Sequence, residues 1–142
     1  MAAHYGGAKQ AAADADLPFA GAISLTLPPE AGSCALARRA VRAFCRTHRL
    51  NHLADDAELL TSELVGNAVT HAHANVGVTA QCTDASVMVR VTDNDGPVVI
   101  PRPSRPGDLA ESGRGLYVVA ELAGDWGTSH QGEGKSVWFR LP

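Results

Sequence analysis

The chain has 142 residues, 45% hydrophobic and 19% charged, with 12 Lys+Arg against 15 Asp+Glu and a formal net charge of −3 at pH 7. That length suits one domain, and a near-neutral chain without a dense basic stretch has no field for holding a phosphate backbone, so direct nucleic-acid binding is not expected. No segment approaches the roughly eighteen apolar residues that a bilayer crossing needs, and Met1 to Gln10 lacks a cationic stretch followed by an apolar one; a cytoplasmic protein without membrane contact is the expectation.

Residues 1–18 are rich in Ala, Gly and Asp, show no hydrophobic period and read as a disordered leader ahead of one domain over 19–142. From Ala22 to Leu27, Ile23, Leu25 and Leu27 alternate as in a half-buried strand, and Pro28-Pro29 ends the run. A helix follows with Ser33 as its N-cap. Leu36, Ala37, Ala40, Val41, Phe44 and Cys45 recur at three and four, an inward stripe opposite Arg38, Arg39, Arg42 and Arg46. A second helix is predicted from about Asp55 to Ala72, with Asp55, Asp56 and Glu58 in the first turn, where the helix dipole favours negative charge.

Strands around Val76 to Cys82 and Ser86 to Val91, joined by Thr83-Asp84-Ala85, form a hairpin that feeds Asp93-Asn94-Asp95-Gly96. Pro97, Pro101, Pro103 and Pro106 with Gly107 and Asp108 forbid regular structure over roughly fifteen residues, a loop length that usually carries function. After Gly113-Arg114-Gly115, Leu116, Val118, Val119 and Leu122 read as a short helix, and Trp126 to Leu141 as two strands around Gly132 and Gly134. This order predicts an α+β two-layer sandwich, a mixed but mainly antiparallel sheet covered on one face by three helices. Cys34, Cys45 and Cys82 include no C-x-x-C pair and read as free thiols rather than a disulfide framework or zinc site.

On the second helix Glu63, Asn67 and His71 are four apart and share a stripe. An apolar rim around a carboxylate and a carboxamide calls for polar partners, while a solvated helix face is the plainer alternative. Gly113-Arg114-Gly115 opens a helix, whose free N–H groups can hold phosphate oxygens, although glycines before a helix more often serve ordinary chain reversal. Gly134-Lys135-Ser136 imitates the end of a P-loop, but Ser129 stands where that motif needs glycine and a strand follows instead of a helix.

Taken together, ELVGNAVTHA (Glu63 to Ala72), VTDNDGP (Val91 to Pro97), ESGRGLYVV (Glu111 to Val119) and GKSVWFRL (Gly134 to Leu141) resemble, in order, the motifs of the gyrase, Hsp90, histidine-kinase and MutL (GHKL) ATP-binding fold. Within it the chain is most similar to the stand-alone anti-sigma factor serine kinases of Gram-positive bacteria, over about residues 20 to 142. The resemblance implies a Bergerat-type fold binding ATP and magnesium. Glu63 matches the residue that polarises a nucleophile, Asn67 the magnesium ligand, and Asp93 the aspartate that accepts from the adenine amino group. Asp95 is the second candidate for that base contact. Ser136 matches a hydroxyl that helps hold adenine through water, and Gly113, Arg114, Gly115 and Leu116 match the phosphate-side turn, with Pro97 to Ser112 as a lid. One departure stands out: the D-x-G-x-G pattern would put glycines two and four residues after Asp93, where this chain has Asp95 and Pro97.

The implied function is that of a protein serine/threonine kinase that phosphorylates an anti-sigma-factor antagonist of the STAS type and sequesters a sigma factor, with a homodimer as a further expectation. The alternative is a non-catalytic regulator that keeps the fold, with or without nucleotide, and acts by holding a partner; the altered Asp95 and Pro97 favour it, and Glu63 with Asn67 favour the kinase.

Overall fold

In the computed structural model the described residues are 20–71, 74–93, 121–131 and 134–142. They form β1 (Gly21–Leu27), α1 (Gly32–Thr47), α2 (Asn51–His71), β2 (Val76–Cys82), β3 (Val87–Asp93), β4 (Asp125–Gln131) and β5 (Gly134–Leu141). The sheet runs β1-β2-β3-β5-β4, with β1 at one edge. The fold is α+β, but every pairing among the described residues is antiparallel, not mixed. The connectivity explains this: two helical passes separate β1 from β2, so the chain re-enters the sheet reversed, whereas a one-helix crossover would make the pair parallel. Of the three expected helices, two are described in full; Glu121 and Leu122 are helical, and 116–120 lie outside the described residues.

Period-2 alternation fixes which way each strand faces. Val76, Val78, Ala80 and Cys82 on β2 and Val87, Val89 and Val91 on β3 point into one core with Phe139 and Leu141 of β5. The α2 helix packs on β3, β2 and β5, and α1 lies beside it over β1 and β2. Each fully buried side chain such as Leu60 or Phe139 contributes about 1.5–3 kcal/mol, which outweighs the tenths of a kcal/mol of helix propensity.

Three local expectations are corrected. Ser33 is not the N-cap: Ala31 holds that place without a side-chain bond, and Ser33 Oγ donates to the Pro28 carbonyl at 2.6 Å, fastening the proline turn instead. Leu36 does not face inward but stands 48% exposed. Finally, α2 begins at Asn51, so Asp55, Asp56 and Glu58 lie beyond its first turn.

The helix junction explains that early start. Leu50 N–H donates to the Cys45 carbonyl at 2.7 Å and Arg49 N–H to the Arg46 carbonyl at 3.2 Å, with Arg49 at φ 62. This is the double bond of a Schellman motif, with Cys45 and Leu50 both buried, and it lets α2 start directly after Leu50. The acids serve the α1–α2 seam: Arg42 donates to Glu58 Oε1 from Nε at 3.0 Å and from Nη2 at 2.6 Å, and also to Asp55. All three cysteines are free. Burial pushes the Cys45 thiol up to about 11, so it packs as a small hydrophobe. Cys34 is only half-buried, and its Sγ donates to the Ser62 carbonyl at 3.3 Å.

Candidate functional site

The buried arc of α2 comprises Leu53, Ala54, Ala57, Leu60, Thr61, Leu64 and Val65. At about 100° per residue, Glu58 and Ser62 fall beyond one edge of that arc and Glu63 and Asn67 beyond the other. The first flank faces α1, where Arg42 meets Glu58 and Arg38 Nη1 donates to Ser62 Oγ at 3.3 Å. The second flank therefore turns away from α1, and both Glu63 and Asn67 are half-buried on it. Among the described residues no cation pairs with Glu63, and burial alone pushes its carboxyl above the ordinary range. The stripe expected from the four-residue spacing thus lies at the boundary between core and solvent.

The connection after α2 fixes which end of the sheet this stripe approaches. The helix ends at His71, only a few residues before Val76, and Val76 pairs in register with Asp93. The last turns of α2 and the last residue of β3 therefore share one end of the sandwich. Asp93 closes β3 rather than opening a loop, because the ladder with β2 runs through to it. Its side chain continues the inward series Val87, Val89, Val91 and is 4% exposed.

Register also decides which residue of β5 accompanies Asp93. Asp93 pairs with Lys135 and Thr92 with Ser136, so Lys135 shares the helix-facing side with Asp93 while Ser136 lies on the opposite side. Lys135 Nζ stands 3.7 Å from Asp93 Oδ2, and Lys135 is 8% exposed. Ser136 Oγ is 3.1 Å from Thr92 Oγ1 on the far face. The expected grouping of Asp93 with Ser136 is therefore not what the register produces; the neighbouring side chain is Lys135. The alternation of Lys135, Val137, Phe139 and Leu141 carried that signal in the sequence.

Asp95, Gly113, Arg114, Gly115 and Leu116, and the lid Pro97 to Ser112, lie outside the described residues. Among the described residues no cluster of three or more His, Cys, Asp or Glu could hold a metal unaided. The donor set instead suits magnesium carried largely by phosphates and water, since Asn67 and Glu63 offer hard oxygens one helical turn apart.

Comparisons with known proteins identify the family and the fold. The histidine kinase-like ATPase domain family matches residues 27–141, and the chain belongs to that family. No curated protein matches the chain. Among solved structures, the RsbU and RsbW domains of Rv1364c from Mycobacterium tuberculosis share the fold, with TM-score 0.58 and 17% identity. The match covers 85% of this chain and 32% of that one, so this chain spans about a third of the solved protein. Family membership makes the domain an ATP-binding one. Among the described residues no helix is long and apolar enough to cross a membrane.

Proposed function

We propose that this chain is an ATP-dependent regulator of the anti-sigma factor type, a protein serine/threonine kinase acting on a small antagonist protein. The observations that support this reading are the buried Asp93 carboxylate at the end of the sheet that the last turns of α2 approach, and a half-buried Glu63 with the Asn67 carboxamide one turn on, along the flank of α2 turned away from α1. The partner class, a sigma factor and a STAS-type antagonist, rests on the motif resemblance, and the solved structure adds a likeness of fold.

In this reading Asp93 would accept from the 6-amino group of adenine, and Asn67 would help hold magnesium through its carboxamide oxygen. Bound magnesium-ATP supplies the transferable phosphoryl group. Glu63 takes the proton of the incoming serine or threonine hydroxyl, and its raised basicity suits that task better than an ordinary solvated carboxylate would. Gly113, Arg114, Gly115 and Leu116 would hold the phosphates, and Asp95 is the alternative base contact.

A second reading, a non-catalytic partner-holding regulator, is favoured by one specific feature: Asp95 and Pro97 stand where the resembling pattern has glycines. Calorimetric titration with ATP, ADP and GTP, with and without magnesium, separates the two at the binding level. Magnesium-dependent, adenine-selective binding supports the first; no binding at millimolar ATP promotes the second. If ATP binds, Glu63→Ala should bind it nearly as well while losing about 10²–10⁴-fold in phosphoryl transfer to the antagonist.

A further inference from the structure

We propose that Lys135 is a base-reading residue: beside Asp93, which accepts from the adenine 6-amino group, the Lys135 ammonium donates to ring nitrogen N1. The inference rests on the reading of Asp93 as the base contact and adds a second, specificity-determining residue to it.

Three observations carry it. The two residues are a register pair on adjacent strands, so their side chains leave the same face at the same level. Both are almost withdrawn from solvent, at 4% and 8% exposure, and the charged atoms stand 3.7 Å apart. Their chemistry is complementary, because an ionised carboxylate only accepts hydrogen bonds and an ammonium only donates them. The pair therefore presents an acceptor and a donor side by side.

Adenine offers the matching order, a donor on C6 next to an acceptor at N1. Guanine and hypoxanthine offer the reverse, a carbonyl on C6 next to an N–H. In the same pose those bases would set carbonyl against carboxylate and N–H against ammonium, two mismatches that leave buried polar groups unpaired. A bond from a buried ammonium to N1 is charge-assisted, of the stronger kind. Stability alone is a weak reason for the pair, since buried ion pairs are often no better than apolar replacements of similar volume.

The test is competition calorimetry on the full chain with ATP and 1-deazaadenosine triphosphate, in which C–H replaces N1. The wild type should bind ATP about tenfold or more tighter than the deaza analogue, the loss expected for one charge-assisted bond. Lys135→Met should bind the two nucleotides alike. Equal affinities in the wild type would overturn the role of Lys135 while leaving the ATP site intact, and that result needs no variant to fold. The same preference in wild type and Lys135→Met would also overturn it. Failure of the wild type to bind ATP at all would remove the underlying reading and this inference with it.

Discussion

Along the helix-facing side of the β3–β5 ladder, Val87 pairs with Leu141, Val89 with Phe139 and Val91 with Val137, whereas the last rung pairs Asp93 with Lys135. Along β3 burial hardly changes from one end to the other, since Val89 is 0% exposed and Asp93 4%. The chemistry does. Apolar burial stabilises the first three rungs and needs no further account. A charged rung gains little over an apolar one, because desolvation of both ions offsets most of their attraction. One end of the ladder is thus explained by folding, and for the other the proposed base contact supplies the reason.

The largest expected effect breaks the apolar end. Phe139→Ala should lose about 3–5 kcal/mol in denaturant unfolding, the usual cost of truncating a buried aromatic side chain. Somewhat smaller, Lys135→Met should cost about 3 kcal/mol at neutral pH, because Asp93 is left as a buried charge without its cationic neighbour. If Lys135→Met melted like the wild type, the rung would not be acting as a coupled pair.

The same contrast recurs on α2, whose two flanks carry one half-buried glutamate each. Glu58 is held by Arg42, with 27% and 28% of the two side chains exposed, and Glu58→Gln should cost no more than about 1 kcal/mol. Glu63 should behave oppositely. Its carboxyl is raised by burial, so its ionisation opposes folding: the wild type is relatively more stable at low pH and loses that advantage as pH rises through the raised value. Glu63→Gln should therefore melt higher than the wild type at neutral pH, with the gain vanishing by about pH 4. This is the smallest effect, and paired melts at the two pH values measure it. A residue that weakens the fold in the state needed for proton abstraction fits a functional role.

Much of the fold was legible because hydrophobic period survives in single sequences: β2, β3 and the β4–β5 hairpin fall where alternation places them, and the α2 stripe was visible from the spacing of Glu63 and Asn67. What was missed has physical causes. The start of α2 was hidden because the left-handed C′ position is Arg49, so no glycine marks the end of α1. The all-antiparallel sheet follows from counting helical passes, which composition does not report. Gly134-Lys135-Ser136 imitates the end of a P-loop and gives no local sign of its neighbour; only the ladder register shows that Lys135, and not Ser136, stands beside Asp93.

The most direct test of the division between a folding end and a binding end is the paired substitution Asp93→Val with Lys135→Leu, which extends the apolar ladder by one rung. Thermal unfolding and ATP titration would be measured on the same preparation. The account predicts a protein that melts at or above the wild-type temperature and no longer binds ATP. A variant that unfolds readily, or one that still binds ATP with wild-type affinity, would contradict it.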